Sequence, residues 1–450
     1  MASPIGVPDT GHRNCLLPPV SRSVEDLGVA RLLTGLSLGY FLVMLDTTIV
    51  TVALPALSPS LPAQQWISNG YTLTFAAFLL TAGAWSDRFG ARRVFSLGLI
   101  SFGVLSGLSA LSFSTALLIA LRALLGVAGA LLVPSSLSLI AAAYPVPSAR
   151  AKAMGVWAAV SGTGLVAGPL LGGVLTEAFG WRAIFVVNIP VAAIALALSR
   201  SAPSTPVRPG CIDVVGQLAA VVALSTLTYA LVEKAFWALL PCVVAAAVFA
   251  VSQRRPGAML PPQFLSRGLL AGAIVNFGLS GVLFVLSLYF QETRGYPPSS
   301  TGLAFLPLMI PTAFNPIFTG RLVARIGPRI PAVSGFLLMA LGAAIQACSP
   351  PVAVSVVALV LLGFGVSLAI PSLLAAVIGA APPELAGIAS GALNASRQTG
   401  AALGVAVLGA LSATSTPFAL AAAAAVLLTG AAVAAAQPQK AAANRVPMRE

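Results

Sequence analysis

The sequence predicts an all-α polytopic membrane protein, on three observations. Only 8% of the 450 residues are charged, 58% are hydrophobic, and mean hydropathy is +0.98, whereas soluble domains carry roughly 25% charged residues. Apolar runs of about 20 residues, the length that crosses a bilayer, recur fourteen times. Lysine and arginine crowd into alternate gaps between those runs. Barrel strands would be about 10 residues of alternating pattern, and these runs are longer and rich in Ala, Leu and Gly.

In chain order the runs lie near 31–54, 67–85, 94–112, 115–141, 153–178, 182–199, 213–232, 235–252, 268–290, 301–320, 330–348, 352–378, 387–412 and 417–436. With the N-terminus inside, 19 of the 24 basic residues fall on the cytoplasmic side. Only Arg182, Lys234 and Arg294 fall outside, and Arg122 and Arg397 lie within spans. An odd number of spans would destroy this alternation, so the positive-inside rule gives fourteen helices with both termini cytoplasmic. The net charge of +13 is then topological anchoring, and no nucleic-acid partner is expected.

Residues 1–30 read as a Pro-rich cytoplasmic tail, and 437–450 as a second one. The first apolar run is too long for a signal-peptide core and reads as a retained helix. Cys15, Cys211, Cys242 and Cys348 show no metal spacing, and His12 sits in the tail. No metal site and no His-based relay is expected, and no P-loop points to ATP. Membrane enzymology is disfavoured by the lack of a nucleophile–base set, and a receptor by the lack of a sizeable soluble domain.

An internal repeat organises the spans. Gly83 to Arg92 (GAWSDRFGAR) recurs as Gly320 to Arg329 (GRLVARIGPR), 237 residues later. The same offset carries Leu125, Gly126, Pro134 and Ser135 onto Leu362, Gly363, Pro371 and Ser372, and an offset of 236 carries Gly164 and Gly168 onto Gly400 and Gly404. The expected organisation is a six-helix bundle over 31–199 and a parallel one over 268–436. Between them, 200–255 supplies a cytoplasmic linker and two inserted helices. Parallel repeats around a central site are a transporter plan.

Of eleven acidic residues, only Asp46 lies well inside a span. A charge there costs about 2.5–3.5 kcal/mol or more, which favours proton exchange or a polar partner on a neighbouring helix. Arg122, at a similar depth of roughly 10–12 Å by helical rise, is the natural counter-charge. The pair reads either as a coupling device or as a fixed structural ion pair. Gly164, Gly168, Gly172 and Gly173 have small-residue spacing that permits close helix approach, and Pro169 bends the helix. Arg397, beside Asn394, Ser396 and Gln398, could contact an anionic or polar substrate or satisfy helix carbonyls. Asp213 reads as an interfacial anchor. Candidate substrate contacts are Tyr40, Tyr71, Trp157, Asn276, Phe284, Asn315, Arg397 and Gln398. Further aromatic or polar wall residues are Phe41, Phe75, Phe277, Tyr289, Gln291, Phe314 and Phe318, the composition of a pocket that binds by burial.

The motifs resemble the fourteen-helix drug:proton antiporter branch of the major facilitator superfamily. The resemblance rests on Leu45-Asp46-Thr47-Thr48 through Pro55, the loop Gly83 to Arg93, Arg122 to Gly126, and Gly164 to Gly173. Trp181-Arg182 leading to Asn188-Ile-Pro190, and Ser396 to Gly400, complete it. It implies proton-driven export of antibiotics or other hydrophobic small molecules across a bacterial plasma membrane, by a monomer without cofactors. It implies that the helices of Asp46 and Arg122 adjoin and face the cavity. Gly83, Asp87, Arg88, Gly90, Arg92 and Arg93 would form a latch of the outward-open state, unless these arginines only enforce topology. Gly164, Gly168, Pro169, Gly172 and Gly173 would form an antiporter hinge and seal, with plain helix packing as the alternative reading. The alternative function is transport of a specific metabolite, an amino acid or a sugar.

Overall fold

The computed structural model describes residues 22–205, 207, 213–255, 260, 266–381 and 386–437. The sequence readings on His12, Cys15, Cys211 and the ends of both tails lie outside these residues. Helices α1 (Arg22–Leu57), α2 (Leu61–Phe89), α3 (Ala91–Ala110), α4 (Thr115–Ala143) and α5 (Pro147–Phe179) follow one another through short turns. Next come α6 (Ala183–Val186), α7 (Asn188–Leu198), α8 (Val214–Val232) and α9 (Leu239–Ser252). The chain continues as α10 (Arg267–Leu288), α11 (Pro298–Ala304), α12 (Leu306–Phe314) and α13 (Pro316–Ile326). It ends with α14 (Arg329–Ala347), α15 (Val352–Ala380), α16 (Ala386–Ser412) and α17 (Thr416–Ala435). No strand occurs among the described residues.

Nine of the described helices are long and apolar enough to cross a membrane, and the apolar stretches Ala183–Leu198 and Phe236–Ser252 are shorter. Helices α2 and α16 are long, with 29 and 27 residues. Their polar residues, among them Gln65 and Asn69 in one and Arg397 and Gln398 in the other, dilute their hydropathy. The run expected over 301–320 is divided into α11, α12 and α13. Pro307, Pro311 and Pro316 remove backbone donors there, and the breaks fall at Phe305 and Asn315.

The repeat is a repeat of contacts. Helix α1 packs on α5 as α10 packs on α16; α2–α4 matches α12–α15, and α3–α4 matches α14–α15. A side chain at Gly126 would collide with the carbonyl of Tyr71, and one at Gly363 with the carbonyl of Leu308; both members are displaced by 237 residues. A Cβ at Gly98 would stand 3.3 Å from the carbonyl of Ala128, and one at Gly335 2.6 Å from that of Gly365, again at 237. The turns after α2 and α13 use Gly90 (φ 87°) and Gly327 (φ 81°), equivalents at that offset. Only glycine adopts such backbone without strain. Helices α8 and α9 pair with each other, and α8 lies against α2 and α16, where Gln217 and Thr81 are hydrogen-bonded.

Contacts between residues 22–199 and 267–437 are lopsided. Every side-chain hydrogen bond described between these two parts lies at the end of the molecule that carries the α1–α2 connection. Gln65 Nε2 donates to the carbonyls of Val405 (3.0 Å) and Ala406 (2.9 Å). Ser287 Oγ donates to the Thr51 carbonyl (2.8 Å), Gln291 Nε2 to the Val52 carbonyl (2.9 Å), and the Ser299 amide to Glu177 (3.0 Å). At the opposite end, Met154 and Val156 of α5 and Phe318 of α13 are exposed. Closer approach remains there between α2 and α16, where a Cβ at Gly391 would lie 3.2 Å from Leu80.

Candidate functional site

The apolar runs bury two charges together. Asp46 of α1 and Arg122 of α4 form an ion pair and are 0% and 1% exposed. The second carboxylate oxygen accepts from Asn188 Nδ2 of α7 (3.1 Å), which also donates to Ser106 Oγ of α3 (3.2 Å). Arg122 Nε donates to the Ile67 carbonyl of α2 (3.2 Å), and its guanidinium lies 4.6 Å from the Tyr71 ring centroid. Two desolvated charges persist only when paired and hydrogen-bonded, and here α2, α3, α4 and α7 together meet that need. Asn188 and Ser106 were not read as site residues. The signals for Asn188 are its place in the motif Trp181-Arg182 to Asn188-Ile-Pro190 and an amide inside the apolar stretch 184–191.

A narrow cavity of about 100 Å³ lies between the repeats. From α1 it is lined by Tyr40, Met44, Thr47, Thr48 and Thr51, one helical face, and on the far side by Asn276, Phe284, Asn394, Arg397 and Gln398. Tyr40 stacks on Trp157 at 4.3 Å with the rings 16° from parallel. Arg397 donates to Asn276 Oδ1 (3.2 Å) and Asn394 Oδ1 (3.1 Å).

Several expectations are corrected by this geometry. Neither Asp46 nor Arg122 lines the cavity: α1 turns Thr47 and Thr48 into it and points Asp46 away, toward α4 and α7. Tyr71 lies under Arg122 and hydrogen-bonds the Val43 carbonyl. Trp157 stands behind Tyr40 and donates to Ser136 Oγ (3.2 Å). Asn315 donates to Ser367 Oγ of α15 (2.7 Å), away from the cavity. Of the further wall residues, Phe75 lines it, Gln291 bonds across the closed end, and Phe314 and Phe318 are exposed; Phe41, Phe277 and Tyr289 lie off the lining. The hydroxyl-rich wall of Thr47, Thr48, Thr51, Ser68, Thr72 and Ser280 was not legible, because single hydroxyls are scattered through apolar runs.

Four of the six glycines of α5 are contact points. Gly164, Gly168 and Gly172 face α1: a Cβ at Gly164 would lie 2.6 Å from the Phe41 carbonyl, and Gly168 has no room beside Thr48. Gly173 meets the Pro298 carbonyl of α11, and Gly302 of α11 meets that of Pro169. The helix runs unbroken through Pro169. The segment Gly83–Arg93, expected as a loop, is helical except at Gly90, because α2 runs to Phe89 and α3 starts at Ala91; in it Asp87, Arg88 and Arg93 are exposed and Gly83 is half-buried. Asp87 makes no ion pair among the described residues. Arg92 donates to the Arg200 carbonyl (2.7 Å), and the amide after Gly90 donates to Thr205 (2.8 Å). Asp213 caps α8 by accepting from the Gly216 amide (2.7 Å).

The family model described as Major Facilitator Superfamily matches residues 36–405 and 268–448. The chain belongs to the major facilitator superfamily. Among its relatives, it is 36% identical over 404 residues to the methylenomycin A resistance protein of Streptomyces coelicolor, covering 84% of each chain. It is 34% identical to the tetracenomycin C resistance and export protein of Streptomyces glaucescens, over 85% of this chain and 76% of that one. A solved autoinhibited POT family peptide transporter superposes with a TM-score of 0.69 at 15% identity, over 91% and 96% of the two chains, a likeness of fold. As a member of this superfamily, the chain is a multi-pass protein of the plasma membrane.

Proposed function

We propose that this member of the superfamily exports antibiotics or other hydrophobic small molecules in exchange for protons, by alternating access. Drug efflux rests on the names of relatives at 34–36% identity. Proton coupling rests on the one observation that carries the mechanism: α1 bears the buried acid, the cavity wall and the closed end together. Asp46 pairs with Arg122, Thr47, Thr48 and Thr51 line the cavity, and the carbonyls of Thr51 and Val52 accept bonds from Ser287 of α10 and from Gln291 just beyond its end. Asp46 is five to six residues from that seal, about 8–9 Å at helical rise.

Protonation of Asp46 removes the counter-charge of Arg122. A buried charge stripped of its partner costs about 3–5 kcal/mol, so α1 and α4 must rearrange, and α1 carries the seal with it. A ligand-sized pocket is about 300–1,000 Å³, so the cavity has to widen for substrate, which the same movement supplies. The segment around Asp87, at the end of α2, latches in the opposite state, and Gly168 and Pro169 are where α5 follows α1.

Fourteen spans with both termini cytoplasmic fit this reading: 31–199 and 268–436 form the two bundles, and 200–255 the linker and inserted pair. The paired glycine contacts at an offset of 237 support the repeat. Arg88, Arg92, Arg93, Arg321 and Arg325, exposed at the end opposite the seal, support the orientation. The hydrogen-bonded end is then extracytoplasmic, and the described conformation opens toward the cytoplasm. Expression in a drug-sensitive host, with a compound panel and a protonophore, tests the function. Reduced accumulation that the protonophore abolishes is the expected result; unchanged accumulation for every compound favours metabolite transport.

A further inference from the structure

Arg397 is a charge in the cavity that the proton mechanism does not use. It is the one charged residue among those lining the cavity. Its described hydrogen bonds go to two neutral amide oxygens, at Asn276 and Asn394. A guanidinium carries five N–H donors, and Nη2 has no hydrogen-bond partner among the described residues. Arg122, by contrast, is held by a carboxylate.

The acids whose side chains are described cannot supply a counter-charge here. Asp46 is committed to Arg122, Glu177 to Ser299, Glu233 to Trp66 and Asp213 to the start of α8, while Asp87 and Glu292 are exposed elsewhere. A half-buried cation held by amide dipoles alone is poorly compensated. The space in front of it is walled by Tyr40 on Trp157, by Leu279, Leu283 and Phe284, and by threonine hydroxyls.

We propose that the exported substrate is an amphiphilic anion, whose carboxylate or ionised phenol binds Arg397 while its apolar body lies against Tyr40 and Phe284. This rests on the efflux reading above and deepens it. It also fixes the charge moved per cycle. A monoanion leaving as one proton enters transfers two positive charges inward, a neutral compound transfers one, and a monocation transfers none. An interior-negative potential alone should therefore drive export of the acid.

The test uses the full chain in proteoliposomes and three fluorescent amphiphiles of one skeleton, bearing a carboxylate, a carboxamide or an amine. Under an imposed proton gradient, the carboxylate should be transported about 10- to 100-fold faster than the carboxamide, the range of one hydrogen bond to a charged group. A potassium diffusion potential should accelerate the carboxylate most. Arg397→Gln should bring the carboxylate-to-carboxamide ratio near one, and Arg397→Lys should restore part of it. Because the wild-type comparison needs no variant, misfolding of Arg397→Gln leaves the test intact. Equal wild-type rates for carboxylate and carboxamide, or preference for the amine, overturn the proposal while the efflux reading stands. Transport of none of the three overturns the efflux reading and the proposal with it.

Discussion

Replacing Gln65 by alanine should open the sealed end. Gln65 is 1% exposed, and its amide donates to the carbonyls of Val405 at 3.0 Å and Ala406 at 2.9 Å, across the boundary between the two repeats. Both acceptors lie within α16 and also serve its helical ladder, so losing Gln65 does not orphan them. Each bond contributes about 0.5–1.5 kcal/mol net, so the pair favours the closed end by about 1–3 kcal/mol. Removing it shifts the open-to-closed ratio by about 5- to 150-fold. Pulsed electron–electron resonance between spin labels at Phe179 and Thr293, both exposed at that end, reads the ratio in a cysteine-free background. The wild type should show mainly the short distance, and Gln65→Ala should move population to the long one. A ratio unchanged within about twofold, or moved toward closure, refutes the assignment of these bonds as the seal.

Asp46→Ala leaves Arg122 buried without its counter-ion and should cost about 3–5 kcal/mol; adding Arg122→Leu should recover part of that loss in detergent melting curves. Gly168→Val should abolish a monodisperse size-exclusion peak, since its Cβ has no room beside Thr48 and would stand 3.0 Å from the Ile49 amide. Gly162→Val on the same helix should preserve the peak, because nothing lies within 4 Å of that position. Asn188→Leu removes the 3.1 Å bond to the Asp46 carboxylate and should slow proton-driven transport by about tenfold, one hydrogen bond to a charged group, while leaving counterflow of substrate measurable.

Long elements and their order were legible because a bilayer imposes length and apolarity on each of them. The repeat was legible because glycine at a helix crossing is a steric requirement: Gly126 and Gly363 recur since each meets a carbonyl of the neighbouring helix. Asp46 and Arg122 were legible by elimination, charges being so few. Facing was not legible. A membrane helix apolar on all sides has no period to read, so Tyr71, Trp157 and Asn315 could not be told from the true cavity residues Tyr40, Asn276 and Phe284. Asn188 was missed because its role depends on α7 returning beside α1 and α3, a contact at long range. The breaks at Phe305 and Asn315 were smoothed over because hydropathy counts proline as neutral, although its missing N–H ends the helical ladder.

Coupling through Asp46 is tested most directly by drug-driven proton movement in proteoliposomes holding a pH-sensitive dye, with Asp46→Asn beside the wild type. The account predicts that substrate flux moves protons in the wild type. In Asp46→Asn, downhill substrate exchange should persist, but neither proton movement nor accumulation against a gradient should remain. Gradient-driven accumulation by Asp46→Asn at the wild-type level would contradict it.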